Sequence, residues 1–199
     1  MIQGTEDPQI AKSKHQTIVE TAYSLFKRHG FHATGIDRII AEAGVAKMTM
    51  YRKFPTKDDL IAEVLNWRAR RFQSQLDRMI EAETTPSGKI MAIFNWYGRW
   101  FESPDFHGCL FAHAIAEFSD PSHPVFAAAS KQKAELQDYM ATILRADLDP
   151  DSASNLATAF LTLIEGATLL AQLGKGEDAI DNARRTAALL LQQDAGIPL

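Results

Sequence analysis

The stretch TGIDRIIAEAGVAKMTMYRKFPTKDDL, residues 34–60, predicts two short helices joined by a tight turn and followed at once by a third helix. The apolar positions of the first helix recur every three or four residues and therefore share one face. They are Ile36, Ile39, Ile40 and Ala43. Thr34 is a plausible N-cap for this helix, and Gly44 ends it because glycine adopts a positive φ at little cost.

The second helix of this stretch covers residues 46–54, and its outward side chains indicate its role. Val45, Met50 and Phe54 are predicted to point inward. The outward set comprises Lys47, Met48, Thr49, Tyr51, Arg52 and Lys53. Cations and hydroxyls suit phosphates, whereas donors and methyl-sized apolar groups suit base edges in the major groove of DNA. Pro55 then stops the helix, and Thr56 caps the next one.

These residues resemble the N-terminal domain of the TetR family of bacterial transcriptional regulators. The similarity rests on HGFHATGIDRIIAEAGV (residues 29–45), on Thr49 and Tyr51 in the second helix, and on FPTKDDL (residues 54–60). It covers roughly the first third of the chain. The remainder resembles the family only in the order and length of its helices.

The resemblance implies DNA contacts position by position. Positions of the family that usually meet the DNA backbone correspond to Thr34, Lys47, Thr49, Tyr51 and Lys57. Variable positions at which bases are read correspond to Met48 and Arg52. The chain departs from the common pattern at Lys53, where many members have histidine, and at Gly35, where a hydroxyl residue is frequent. We keep Lys53 as a candidate DNA contact.

The charge of the chain is unevenly distributed. Residues 1–72 hold 12 Lys and Arg against 8 Asp and Glu, a net charge of +4, whereas residues 73–199 carry −8. A basic segment on an acidic body fits a protein whose one end binds DNA. Without a secretory leader or an apolar run of about 18 residues, we expect a soluble, cytoplasmic protein with no membrane association.

The fold class predicted is all-α with about nine helices. Residues 1–10 are expected to be a flexible N-terminal arm, with Lys12 and Lys14 near its base. Residues 11–56 form a three-helix helix-turn-helix DNA-binding domain, and residues 57–199 form a larger helical domain for ligand binding and dimerisation. The helices expected are 11–29, 34–43, 46–54, 57–83, 90–101, 109–118, 125–146, 151–173 and 177–194.

The last two helices are rich in small residues, which let helix axes approach closely. The positions we assign to a homodimer interface are Ala157, Gly166, Ala167, Ala183 and Ala187. The family resemblance implies a dimeric four-helix bundle there, and a head of this kind needs two copies to read two half-sites. The alternative is that these residues pack only within one chain.

Nine of the 18 aromatic residues fall between Phe94 and Phe126, and this concentration predicts a pocket for a small-molecule effector. The candidate lining residues are Trp67, Phe94, Tyr97, Trp100, Phe101, Phe111, His113, Glu117 and Phe118. Any one of these aromatics could instead belong to the helical core. Glu165 interrupts an apolar run and could face a ligand, a cationic residue across the dimer, or solvent.

Cys109 is the single cysteine, which excludes an internal disulfide and a four-cysteine zinc site. Cys109, His113 and Glu117 share one helical face at intervals of four residues, and all three can ligate zinc. Because ligands eight residues apart lie about 12 Å apart along a helix, no metal site is assigned. A small buried thiol is the simplest interpretation, and a redox-sensing thiol is an alternative.

The predicted function is that of a TetR-type regulator, a repressor that binds a palindromic operator in double-stranded DNA as a homodimer. A small, largely apolar or aromatic ligand is expected to release it. The alternatives are a redox- or metal-responsive regulator that uses Cys109, or a helical interaction protein that does not bind DNA. An enzyme is not expected, because nucleophile-elbow, zinc-protease and phosphate-loop motifs are missing, and no cofactor is implied.

Overall fold

In the computed structural model, residues 13–194 are described, and within them the chain forms nine α-helices. In chain order these are α1 (Lys14–His29), α2 (Ile36–Ala43), α3 (Lys47–Lys53), α4 (Lys57–Ile80), α5 (Pro86–Phe101), α6 (Leu110–Glu117), α7 (Pro124–Leu144), α8 (Pro150–Gln172) and α9 (Gly176–Asp194). The all-α prediction is confirmed. The predicted arm at residues 1–10 and Lys12 lie outside the described residues.

The chain divides into two compact units, and the division falls between Val64 and Leu65 inside α4. The sequence places the domain boundary eight residues earlier, between residues 56 and 57 at the start of that helix. The first two turns of α4 belong to the first unit because Leu60, Ile61 and Val64 are fully buried. The functional assignments of the two domains stay predictions.

The first unit contains α1, α2, α3 and the beginning of α4 around a small apolar core. Its α1 is capped by Ser13, whose side chain accepts a hydrogen bond from the Gln16 N–H at 3.2 Å. The rings of Phe26 and Phe31 lie 5.1 Å apart within the core. The other core side chains are Ile18, Val19, Ala22, Leu25, Ile39, Met50 and Phe54.

The turn between α2 and α3 forms as the sequence predicts, but the cap of α2 does not. Gly44 adopts the left-handed conformation with φ of 61°, and its N–H bonds back to the end of α2. The N-cap of α2 is Gly35, not Thr34. Thr34 is fully buried, and its hydroxyl donates to the Gly30 carbonyl at 2.7 Å. Because that hydroxyl is turned inward, the side chain cannot act as a surface DNA contact.

Thr56 caps α4 as predicted. The Asp59 N–H donates to Thr56 Oγ1 at 3.1 Å, and the Thr56 N–H donates to Asp59 Oδ2 at 3.0 Å. This reciprocal pair is a capping box, which satisfies two backbone donors at the helix start. The direction in which α4 leaves Pro55 is therefore fixed by local hydrogen bonds.

The second unit is a bundle in which α8 packs against α7 and α9, α5 packs against α7, α8 and α9, and α6 packs against α7. Phe72 and Leu76 of α4 join the same core. By length and composition alone α8 could cross a membrane. Its residues Ala153, Phe160 and Ile164 are fully buried in this core.

Three helices begin earlier than the sequence analysis predicts, and proline is the reason. Pro86, Pro124 and Pro150 each occupy the first turn of a helix. Proline is favoured there because its missing N–H needs no partner and its φ is already helical. Residues 84–88 were interpreted as a break, whereas α5 starts within them. The end of α4 also differs from the prediction, because the helix stops at Ile80 rather than at residue 83.

Four of the five small residues assigned to a dimer interface are buried within the chain itself. Ala157, Ala167, Ala183 and Ala187 are at most 4% exposed and belong to the core of the second unit. Their small size brings α8 and α9 together within one protomer, so the assignment of these four to dimerisation is corrected. Gly166 alone is exposed.

Candidate nucleic-acid interface and ligand groove

The outward side of α3 forms a continuous polar surface on the first unit. Met50 and Phe54 face the core, which turns the remaining side chains of the helix outward. We call this surface the α3 face, and it consists of Lys47, Met48, Thr49, Tyr51, Arg52 and Lys53. Met48 is 80% exposed and Tyr51 41% exposed, although both are large apolar side chains. Exposure of that kind is costly unless the residues meet a partner.

The cations near the α3 face are held in place by weak contacts. Lys47 Nζ lies 3.5 Å from a carboxylate oxygen of Asp37 and 6.0 Å from the centre of the Tyr51 ring. Lys57 Nζ donates to the carbonyl of His32 at 3.3 Å. Exposed ion pairs of this type contribute little to stability. Both ammonium groups can therefore turn to a phosphate at small cost.

The α3 face combines the chemical groups that DNA recognition requires. The lysines and the Tyr51 and Thr49 hydroxyls can donate to phosphate oxygens, and the Arg52 guanidinium can donate two hydrogen bonds to guanine. Met48 can meet a thymine methyl group. Of the eight residues selected from the sequence, six form the α3 face, Lys57 is the first residue of α4, and Thr34 is buried.

Aromatic residues predicted to line a pocket form a packed network in the second unit. Phe94 is fully buried and meets Phe160 edge to face at 5.7 Å, and Tyr97 is only 4% exposed. A second connected set of rings in the same unit contains Tyr97 and has centroid distances between 4.8 and 6.1 Å; its other members are Phe72, Trp96, Trp100, Phe101 and Phe106. Most of these pairs meet edge to face, which is typical of a helical core. Burial raises the pKa of the Tyr97 hydroxyl well above its ordinary value.

The predicted pocket residues of α6 and its C-cap Phe118 contact different neighbours. Phe111 is buried with the Lys133 ammonium 6.0 Å from its ring centre. His113 Nε2 lies 3.0 Å from the side-chain amide of Gln172, and partial burial lowers its pKa while Glu117 opposes that shift. Phe118 stacks on His123, with ring centres 4.8 Å apart. Each of these residues has its own structural neighbour.

A groove of about 470 Å³ opens elsewhere on the second unit, between α4 and α7. Its lining residues are Asn66, Ala69, Arg70, Phe72, Gln73, Ala128, Lys131, Gln132, Glu135 and Leu136. A smaller groove of about 300 Å³ on α4 includes Trp67 among several arginines. The larger groove could not be predicted from the sequence, because its residues show no common pattern and come from helices about 60 residues apart along the chain.

A buried polar cluster links α6, α7 and α8. Lys133 Nζ lies 2.5 Å from Glu165 Oε1 and 3.2 Å from Cys109 Sγ. Burial alone would lower the pKa of Lys133, but its interactions with Cys109 and Glu165 raise the pKa above the ordinary value. Glu165 thus has a cationic partner in its own chain. The cation beside Cys109 is not visible in its local sequence, because Lys133 is 24 residues away along the chain.

The Cys109, His113 and Glu117 series does not form a metal site. Cys109 is the N-cap of α6 and Glu117 is its last residue, so the three span the whole helix. Among residues 13–194, no group of three or more His, Cys, Asp or Glu side chains is arranged to hold a metal ion.

The exposed apolar surface of the last two helices is formed by leucines rather than by small residues. Leu169 is 60% exposed, Leu170 41%, Leu173 67% and Leu189 49%. Clusters of exposed leucines on helices mark contact surfaces for other proteins. The sequence signal for them is the excess of leucine in residues 169–173 and 189–191.

Two family models match the chain. The model described as "Bacterial regulatory proteins, tetR family" matches residues 18–64, which include α2, α3 and the start of α4. The model described as "Transcriptional regulator LmrA/YxaF-like, C-terminal domain" matches residues 86–186, which is half of the chain.

Proteins with a similar sequence or structure match this chain over most of its length. The HTH-type transcriptional regulator LmrA of Bacillus subtilis is 27% identical over 163 residues, covering 80% of this chain and 87% of that protein. The HTH-type transcriptional regulator YjdC of Escherichia coli is 21% identical over 180 residues, covering 90% and 94%. The crystal structure of a TetR-family transcriptional regulator from Streptomyces coelicolor matches with a TM-score of 0.85 and 29% identity, covering 92% and 97%.

Proposed function

Because the chain belongs to the TetR family of bacterial transcriptional regulators, we propose that it is a repressor that binds a palindromic operator as a homodimer. A small, largely apolar or aromatic ligand releases it from the operator. It would act in the cytoplasm, where its DNA target is. The observation that carries the DNA part of this proposal is the exposed α3 face.

The α3 face supports sequence-specific reading because its polar groups and its apolar groups are exposed together. A surface made only to attract phosphates needs lysine and arginine but not an exposed methionine. Met48 is 80% exposed and provides an apolar contact. Arg52, on the same helix, provides a bidentate hydrogen-bond donor. Lys47, Tyr51 and Lys57 then fix the position of α3 on the DNA backbone.

The test is selection of bound sequences from a random DNA pool by the purified protein, followed by the salt dependence of the selected site. We expect a palindrome whose half-sites lie one helical turn, or a multiple of it, apart. Its affinity should fall steeply with salt, because bound lysines and arginines release counterions from the phosphates. Enrichment of no sequence, even at low salt, would contradict the proposal.

The homodimer is proposed to form through the exposed leucines of α8 and α9. Leu169, Leu170, Leu173 and Leu189 offer an apolar surface that a second copy can cover. Leu173→Asp should convert the dimer to a monomer in analytical ultracentrifugation, because it places a carboxylate inside an apolar contact. Ala134→Asp adds the same charge at an exposed position of α7 and serves as the control. Equal dimerisation of both variants would show that the interface lies elsewhere.

The ligand response is proposed to act through α4, the helix that begins in the first unit and ends in the second. A ligand that fits one arrangement of the second unit better than another shifts the population towards it. The affinity for the operator then changes by the same coupling factor. Trp100→Ala, in the aromatic network, should weaken the ligand response while operator affinity stays near normal. An unchanged response would remove Trp100 from the ligand-sensing region.

A second candidate function is a response to oxidants through Cys109, favoured by the Lys133 ammonium 3.2 Å from its sulfur. Redox-sensing cysteines commonly lie beside a cationic side chain. A hydroperoxide would transfer its terminal oxygen to the sulfur as the O–O bond breaks, so that the thiol becomes a sulfenic acid and the hydroperoxide becomes the corresponding alcohol. Peroxide should then change the operator affinity of the wild type but not of Cys109→Ser. Equal behaviour of the two proteins would exclude this route.

A further inference from the structure

We propose that the groove between α4 and α7 binds a small molecule that combines an apolar body with a hydrogen-bond donor, and that Gln132 is the residue that selects for the donor. The inference rests on the proposed function only in identifying such a molecule with the effector. Binding itself involves no DNA, so it can be tested whether or not the operator is known.

The groove has the size and the lining of a small-molecule site. Its volume of about 470 Å³ lies in the range of ligand pockets in proteins. Phe72 and Leu136, which belong to the buried core, form an apolar floor. Polar side chains that include Arg70 and Lys131 surround this floor. An apolar body can therefore lie on the floor while its polar groups meet the rim.

Gln132 is a residue of this groove whose hydrogen-bond acceptor has no donor among the described residues. Its side chain is only 5% exposed, and its Oε1 is buried with no hydrogen-bond partner among the described residues. A buried carbonyl oxygen without a donor destabilises the folded protein. The terminal torsion of a glutamine side chain is soft, so this oxygen can turn towards a donor that enters the groove. A ligand hydroxyl or N–H would satisfy it.

The neighbouring charges restrict the class of ligand further. Lys131 Nζ and Glu135 Oε1 lie 3.6 Å apart at the rim and neutralise each other. This pair offers no unbalanced charge to an ionic ligand. The class that fits best is a neutral alcohol, phenol or amide with an apolar ring or chain.

The test compares 1-naphthol with 1-methoxynaphthalene, in which a methyl group replaces the hydroxyl hydrogen and removes the donor, each titrated into the full-length protein by isothermal calorimetry. We expect the wild type to bind 1-naphthol about tenfold more tightly, the ratio that one buried hydrogen bond supplies. Gln132→Met keeps the size of the side chain but removes the acceptor. It should bind both probes alike and should melt at a higher temperature than the wild type, since the unpartnered oxygen is gone.

The matched control is Gln137→Met, on the same helix but bonded to the Thr158 hydroxyl at 2.8 Å. It should keep the preference for 1-naphthol and should not gain stability. Ala128→Leu narrows the groove and should weaken both probes equally. The proposal is overturned if the wild type does not distinguish the probes, or if Gln132→Met keeps the preference. A lower melting temperature of Gln132→Met would equally overturn it, because Gln132 would then be a satisfied structural residue.

Discussion

The α3 face of the first unit and the aromatic network of the second are both conspicuous in the sequence, but they differ in solvent exposure. Met48 and Tyr51 of the α3 face are exposed although they are large and apolar. Phe94 and Tyr97 of the network are buried and packed edge to face with other rings. The first set is available to a partner, whereas the second is occupied in holding the bundle together.

This difference shows what makes a functional surface recognisable. On α3, two inward positions suffice to fix the direction of every other side chain, because a short helix has one buried face. In the second unit, five helices share one core, and an aromatic residue can be buried from several sides. Aromatic density therefore indicates a core there, and the groove between α4 and α7 is formed from ordinary polar residues.

The largest effect is expected for Phe94→Ala, which breaks the packing of the network. Loss of a buried phenylalanine costs about 3–5 kcal/mol in the free energy of unfolding. Trp67→Ala is the control, because Trp67 is partly exposed and its ring packs on Arg71 at 5.0 Å; its loss should cost about 1 kcal/mol. Urea unfolding of the two variants measures both values. A cost near 1 kcal/mol for Phe94→Ala would place this residue beside a cavity instead.

The next effect is expected for Lys133→Met, which leaves Glu165 without its cation. Removing one partner of a buried pair costs about 3 kcal/mol when both are desolvated, and here about 2 kcal/mol, because the Glu165 side chain is 32% exposed. Lys131→Met removes a lysine from the exposed pair with Glu135 and should change the free energy of unfolding by less than about 0.5 kcal/mol. Equal costs for the two variants would show that the buried cluster is not a stabilising contact.

The stabilisation by Lys133 depends on pH. The sign of this dependence follows from the raised pKa of Lys133. The stabilisation by its ammonium is complete below the ordinary lysine pKa of about 10.4 and is lost as pH rises through the higher pKa of the folded state. The difference in unfolding free energy between wild type and Lys133→Met should therefore be constant from neutral pH to about pH 10 and shrink above it. A difference that grows above pH 10 would contradict the assignment.

The smallest effect is expected on the α3 face and its neighbour Lys57. Lys57→Ala should weaken operator binding by about 1 kcal/mol and lower the salt slope by about one, with equal effect on all sequences. Tyr51→Phe should act in the same direction. Neither change should alter stability, because both side chains touch the core little. Lys131→Ala, in the second unit, should leave DNA binding unchanged. A loss confined to one sequence would make Lys57 a base-reading residue.

The helices and turns of the first unit could be predicted almost completely from the sequence, because the signals for them are local. The spacing of apolar residues in α2, the positive φ of Gly44 and the Thr56 cap act within a few residues of each other. Thr34 was misassigned because a threonine before a helix can cap it or turn inward to an earlier carbonyl, and only the fold decides. The order of the remaining helices was also predictable, apart from the prolines that start three of them.

Contacts between distant residues explain what the sequence could not predict in the second unit. Lys133 and Glu165 are 32 residues apart, and their pairing depends on how α7 lies against α8. Small residues such as Ala157 and Ala183 signal close helix packing but do not tell whether the partner helix belongs to the same chain or to another. Similarly, nothing in the local sequence distinguishes Gln132, with its unpartnered oxygen, from Gln137.

The central claim, that the α3 face reads bases as part of a dimer, is tested most directly by repeating the DNA selection with Arg52→Ala beside the wild type. We predict that Arg52→Ala loses base preference at one position in each half-site, symmetrically about the centre of the palindrome. The other positions should keep the preference of the wild type. A uniform loss of affinity with unchanged preference would contradict it and would assign Arg52 to the DNA backbone.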